Sequence, residues 1–160
     1  MEEESMNEKI QIDIYKGLPM VLEKVKLVAL AAVTGKSAPW MLQKMNRMKV
    51  STKESEFVPE DLPLINNALV MLGDEIAQSL VVYSDNRSEV VSQIKALNGL
   101  VSMPYIYTEH LKVSKSWFTN RTKACTDGFR VVSFKEEDIF KINMAAMQIA
   151  NELRSIEFTL

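Results

Sequence analysis

The chain has 160 residues, of which 47% are hydrophobic, and its net charge is −2 at pH 7. This composition suits one globular domain or two small ones, and the longest apolar run, 27–33, is far too short to span a membrane. The single cysteine excludes an intramolecular disulfide, so we expect a reducing compartment and a cytoplasmic protein. The slightly acidic total argues mildly against strong nucleic-acid binding.

The N-terminal part predicts a disordered tail followed by a leading helix. Residues 1–9 are polar and acidic, without the basic-then-apolar pattern of a signal peptide. Isoleucines alternate with polar residues over 10–14, which indicates either a strand or the start of a helix. Gly17-Leu18-Pro19 is a predicted breaker, with Pro19 in the first turn of a helix over 19–33 that is whole or broken near Lys26.

The next segment predicts two short helices, a loop and a long helix. Gly35 ends the first helix because glycine adopts a left-handed conformation at low cost. Ser37 is a good N-cap for a short helix over 38–48. The polar stretch 49–57 predicts a loop or small hairpin, and helical apolar spacing predicts a long helix over 59–80.

The second half predicts a similar series of helices, with serines as caps. Ser102 and Ser114 each precede a short helix, and Ser133 with Glu136 has the spacing of a capping box. A loop over 125–133, with a possible strand at 129–132, separates the last two helices. We expect helices over 87–98, 103–111, 115–124 and 135–156.

The two halves also share sequence. Trp40 and Trp117, the only tryptophans, lie 77 residues apart, and nine identities occur at this offset without a gap. We interpret this as an internal duplication, which typically supplies two copies of one binding surface. The predicted fold is all-α, with two tandem helix-turn-helix-like units that each precede a long helix, with or without small β-hairpins. The predicted organisation is a tail and leading helix (1–26), unit one (27–83), a linker and helix (84–103), and unit two (104–160).

Each unit has the layout of a helix-turn-helix: two short helices, a tight turn, and a polar, basic face on the second helix. Unit one places an apolar residue, a small residue, a turn glycine and a core residue where the motif needs them, at Leu30, Ala31, Gly35 and Met41. Unit two departs from this pattern, because Thr108 replaces the small residue and Lys112 replaces the glycine.

Unit two contains Tyr105-Ile106, then Ser114-Lys115-Ser116-Trp117-Phe118 and Asn120-Arg121, and it ends in a helix that includes 146–153. In these segments it resembles a family of uncharacterised short proteins of gut Bacteroidetes and their phages. Unit one looks like a more diverged copy that retains Gly35-Lys36-Ser37 and Trp40. The family's members look like single units, so a tandem version is a departure. The resemblance implies the fold and an origin in a phage or mobile element, hence a bacterial host cell.

The first functional hypothesis is a DNA-binding regulator of transcription or replication. The second short helix of each unit would enter a major groove of double-stranded DNA, at half-sites arranged either with pseudo-twofold symmetry or as direct repeats. Basic side chains would meet phosphates or guanine edges, and two amides could read adenine. The candidate residues are Lys36, Gln43, Lys44, Arg47, Lys115, Asn120, Arg121 and Lys123.

The alternative is an all-α protein–protein interaction module that has lost DNA binding. It would be a phage structural or assembly component, possible in a virion, or an inhibitor of a host protein. The acidic total charge, the ten methionines and the changed turn of unit two favour this reading. Either protein could be a monomer or a homodimer.

Enzyme activity is not expected, and neither a cofactor nor a metal is predicted. The single His110 and the lone Cys125 do not supply a metal site, and no glycine-rich phosphate loop occurs. The two tryptophans could stack on a base or sugar. We expect instead that Trp40 and Trp117 belong to the core, beneath the long helix of each unit.

Overall fold

Local sequence signals account for most helix boundaries in the computed structural model, which describes residues 8–47, 49–50, 53–123 and 132–160. Asp13 caps the first helix by accepting a hydrogen bond from the Tyr15 N–H at 3.1 Å. Ser37 caps another through the Trp40 N–H at 3.1 Å. The first half contains β1 (Ile10–Asp13), α1 (Ile14–Leu22), α2 (Leu27–Thr34), α3 (Ala38–Met45), β2 (Lys49–Val50), β3 (Lys53–Glu54) and α4 (Asp61–Ala77).

The second half begins at Asn86, whose side chain accepts from the Glu89 N–H at 3.2 Å and caps the next helix. Ser102 and Ser114 then cap the two short helices, as predicted. The elements are α5 (Arg87–Asn98), α6 (Met103–Glu109), α7 (Lys115–Thr122), α8 (Glu136–Ser155) and β4 (Ile156–Thr159). The described part of the chain is therefore mostly helical, which confirms the all-α class.

The few strands form two small sheets. β1 and β4 pair in parallel, with Ile10 opposite Ile156. β2 and β3 pair antiparallel, so the hairpin is found where the polar stretch 49–57 predicted either a loop or a small hairpin. A single antiparallel bridge joins Val25, just before α2, to Val101, just before α6.

The two long helices form the centre of the core. α4 packs against α8 along its length, and it also contacts α2 and β4. Ile65, Leu69, Leu72 and Ile76 on α4 are fully buried, at the helical spacing predicted for this segment. The buried side chains of both halves belong to one connected cluster, from Ile14 to Phe158. No helix in the described ranges has the length and apolar character needed to cross a membrane.

The predicted breaker at Gly17-Leu18-Pro19 is wrong, because α1 runs through all three residues. Gly17 is buried, and a Cβ there would lie 2.6 Å from Cε1 of Phe158, so the glycine permits close packing against β4. Proline keeps a helix-compatible φ and removes one hydrogen bond. Burial of Ile14, Leu18 and Val21 on one face of α1 outweighs that loss.

The predicted capping box at Ser133 and Glu136 is also wrong. The N-cap of α8 is Lys135, whose backbone N–H donates to Oδ2 of Asp138 at 2.8 Å. Phe134 is buried one residue before the cap and Ile139 is buried in the first turn, which are the positions of a hydrophobic staple. Burial of the Phe134 ring therefore sets where the helix begins.

The order of helices is the same in the two halves of the molecule. In each, a leading helix, a bridging valine, two short helices and a long helix follow one another, and α3 and α7 lie 77 residues apart at both ends. The N-terminal residues 1–7, most of the loop predicted over 125–133 with its possible strand, and Cys125 lie outside the described residues.

Candidate nucleic-acid interface

The turn between the two short helices has a left-handed residue at equivalent places. Gly35, between α2 and α3, has a φ of 76°. Lys112, between α6 and α7, has a φ of 57°, although it carries a side chain. Lys112 thus keeps the positive φ of its glycine counterpart, although it lies three residues after the end of α6 whereas Gly35 directly follows α2.

The tryptophan of each second helix packs against a phenylalanine that precedes the long helix. Trp40 meets Phe57 edge-on with ring centroids 6.1 Å apart, and Trp117 meets Phe134 edge-on at 5.9 Å. Both tryptophans are half-buried and lie against the edge of the core cluster. They connect each second short helix to the start of the following long helix, and neither is fully buried.

Most of the predicted DNA-contacting side chains reach solvent. Lys36 and Arg47 flank α3, Lys115 begins α7, and Asn120 and Lys123 lie at the end of α7 or just beyond it; all five are exposed. Gln43 is half-buried on α3. These side chains form two groups, one on or beside each second short helix, which we call the α3 surface (Lys36, Gln43, Arg47) and the α7 surface (Lys115, Asn120, Lys123).

Aromatic rings hold two of the cations on the α3 surface. The Arg47 guanidinium lies 3.9 Å from the ring centroid of Tyr15, and Lys36 Nζ lies 5.6 Å from the Trp40 ring. Such contacts orient a cation without neutralising its charge. The β2–β3 pair follows α3 in the chain.

Lys44 Nζ also lies over the Trp40 ring, 4.9 Å from its centroid, but it forms an ion pair with Asp61 at the start of α4 as well. Its Nζ lies 2.8 Å from Oδ2 of Asp61, with side-chain exposures of 17% and 12%. The same Oδ2 accepts from the Val58 N–H at 2.9 Å. Because a partly buried carboxylate neutralises it, Lys44 contributes less to the outer positive field than the exposed lysines do.

Arg121, the equivalent of Lys44 in unit two, folds back over Trp117. Its guanidinium carbon lies 3.8 Å from the ring centroid, and its Nη1 donates to the Trp117 carbonyl at 2.9 Å. Its Nε is buried and has no hydrogen-bond partner among the described residues. A cleft of about 270 Å³ lies beside it and mixes the cations Lys135 and Lys141 with the carboxylates Glu137 and Asp138.

Two residues that support these surfaces were missed by the sequence reasoning. Arg87, on α5, donates from Nη2 to the carbonyls of Arg121 and Lys123, at 3.1 and 2.6 Å, and so binds the C-terminal end of α7. Tyr15, on α1, accepts from the Phe57 N–H at 2.9 Å and stacks beneath Arg47. A cation at a helix C-terminus is favourable. The partners of Arg87 and Tyr15 lie far away in the sequence, however, so no local pattern indicates these contacts.

Nothing in the described ranges groups three or more histidine, cysteine, aspartate or glutamate side chains in a way that could hold a metal ion. His110 is half-buried and meets the Tyr105 ring edge-on, with centroids 5.6 Å apart.

No protein-family model, curated protein or solved structure matches this chain.

Proposed function

We propose that this protein binds double-stranded DNA through two helix-turn-helix units, residues 27–83 and 104–160, that arose by duplication. One observation carries the proposal. Two short-helix pairs, α2–α3 and α6–α7, each have one left-handed residue between the helices, and polar or basic side chains lie on or directly beside each second helix. A helix presented in this way has the size and chemistry that a major groove accepts.

The distribution of charge supports this reading more than the total charge does. No acidic residue occurs over 36–53 or over 112–123, whereas the chain as a whole carries −2. Exposed lysine and arginine on these segments would contact phosphates and set the position of each helix. Gln43 and Asn120, at equivalent positions, would supply bidentate amide contacts to adenine.

The resemblance of unit two to the short proteins of gut Bacteroidetes and their phages suggests the biological setting. A small protein with two helices that read DNA grooves, and with no expected enzyme activity, would act as a regulator of transcription or replication on a phage or other mobile element. It would act in the cytoplasm of the bacterial host, as a monomer or as a homodimer.

The experiment is fluorescence anisotropy with a mixed-sequence DNA duplex at about 50 and about 200 mM salt. We expect binding that weakens about 100-fold over this range if about four phosphates are contacted. The double variant Lys115→Ala/Lys123→Ala removes two α7-surface cations and should lower the salt slope by about 2. The control is Lys9→Ala/Lys16→Ala, which removes the same charge. Lys9 directly precedes β1, Lys16 lies on α1, and both are exposed.

Absence of binding at the lower salt concentration would contradict the proposal. An equal decrease of the salt slope in both double variants would contradict it as well. The first would mean that the two basic surfaces are ordinary solvated protein. The second would mean that any binding follows total charge rather than the second short helices.

One specific feature favours the alternative, an interaction module of a phage or an inhibitor of a host protein. Phe140 and Met144 lie one helical turn apart on α8 and are 64% and 49% exposed. Exposed apolar neighbours of this kind are typical of protein-binding surfaces. The low-salt anisotropy measurement separates the two functions, because only the DNA-binding protein gives a signal.

A further inference from the structure

The two halves of the molecule contact each other through reciprocal hydrogen bonds. The side-chain amide of Asn66, on α4, accepts from the Phe158 N–H at 2.7 Å and donates to the Phe158 carbonyl at 3.1 Å. The amide of Asn143, on α8, accepts from the Val81 N–H at 2.9 Å and donates to the Val81 carbonyl at 2.8 Å. Asn143 lies 77 residues after Asn66, and Phe158 lies 77 residues after Val81.

The bridge between the halves has the same reciprocal form. Lys26 N–H donates to the Leu100 carbonyl at 2.9 Å, and Ser102 N–H donates to the Lys24 carbonyl at 2.8 Å. Both donors lie one residue after the bridged valine, and both acceptors lie one residue before it. An antiparallel bridge has a local twofold axis through its centre, and this one joins the segments that lead into α2 and α6.

The long helices cross at equivalent positions. A Cβ on Gly73 would lie 2.9 Å from the backbone oxygen of Ala150, which is the residue 77 positions further along. Two helices related by a twofold axis meet at their equivalent residues where the axis passes between them. The crossing of α4 and α8 therefore agrees with the amide contacts and with the bridge.

We infer that a twofold rotation relates the two units, and that the DNA recognised is an inverted repeat with two unlike half-sites. This inference rests on the proposed function. A contact is isologous when residue i of one unit meets residue j of the other and the equivalent of j meets the equivalent of i. A twofold rotation produces such paired contacts, whereas a head-to-tail translation does not. The rotation that relates the long helices also relates α3 and α7, so the two groove-reading helices match the dyad of duplex DNA.

The half-sites are unlike because the two reading helices differ. Over the eight residues of α3 and the eight of α7, only the tryptophan is identical. Gln43 on α3 corresponds to Asn120 on α7, and the two amides extend from the backbone by different lengths. Each helix would therefore read its own bases, within an overall inverted arrangement.

The test begins with selection of binding sequences from a pool of random duplexes by the full chain. The two enriched half-sites are then built into synthetic duplexes at centre-to-centre separations from about 8 to about 22 bp. In the inverted orientation, the bases relaxed by Gln43→Ala and Asn120→Ala lie at equal distances from the centre, and reversal of one half-site gives the direct orientation. We expect the inverted series to bind about 10-fold more tightly, with maxima at about 10 and about 21 bp. Gln43→Ala should relax base preference in one half-site, and Asn120→Ala in the other.

Equal or tighter binding to the direct orientation would overturn this inference and leave the proposed function standing. Relaxation of the same half-site by both amide variants would also overturn it, because two rotated units read separate half-sites. Failure to bind any duplex in the pool would remove the proposed function and the inference together.

Discussion

One left-handed residue lies in the turn of each short-helix pair, and the two units use different residue types there. Gly35 and Lys112 both have positive φ. For a residue with a side chain, this conformation costs about 1–2 kcal/mol, whereas glycine adopts it freely. Lys112 therefore holds local strain that Gly35 does not, and the surrounding contacts of α6 and α7 must maintain it.

This difference predicts opposite effects of two substitutions. Lys112→Gly should raise the free energy of unfolding by up to about 1 kcal/mol, because it removes the strain. Gly35→Ala should lower it by about 1 kcal/mol, and only through backbone strain, since a Cβ at Gly35 meets no atom within 4 Å. Urea denaturation measures both. Lys95→Gly, at an exposed position in the last turn of α5, is the control and should lose up to about 1 kcal/mol. A similar loss in Lys112→Gly would mean that Lys112 is not strained.

At the scale of elements, the crossing of α4 and α8 depends on a helical residue without a side chain. A Cβ on Gly73 would approach the Ala150 backbone oxygen to 2.9 Å and Cγ of Arg154 to 3.1 Å. Gly73→Ala should therefore lower the free energy of unfolding by about 1–3 kcal/mol, although alanine favours helix over glycine by about 1 kcal/mol. Thermal denaturation measures the change, with Ala150→Gly as the control that opens space at the same crossing. A more stable Gly73→Ala variant would mean that the helices do not cross this closely.

Local sequence signals predicted some of the elements and missed others. Helical periodicity and serine caps predicted α5 and the short helices to within a few residues, because these signals are local. β4 was missed, since its partner β1 lies at the other end of the chain. A distant contact also explains why Gly17 was wrongly predicted as a helix breaker. This glycine leaves space for the Phe158 ring, which lies at the other end of the chain. Features that depend on contacts between distant segments have no local pattern from which to predict them.

At the scale of the whole molecule, the candidate site was predicted as a set of residues but not as a surface. The 77-residue offset indicated which side chains correspond in the two units. It did not indicate that Lys44 pairs with Asp61 or that Arg121 lies on Trp117. The first contact depends on how α4 meets α3, whereas the second joins residues four apart on α7. They leave the exposed residues of the α3 and α7 surfaces as the principal candidates for contact with DNA.

In the proposed complex, DNA contacts both second short helices at once, and amide chemical-shift mapping would detect the two contacts in one measurement. A chain of 18.2 kDa suits this measurement, made at about 50 mM salt with a mixed-sequence duplex. The account predicts that the largest shift changes fall within 36–47 and within 112–123. Changes concentrated on α8 around Phe140 and Met144, or no changes at all, would contradict it.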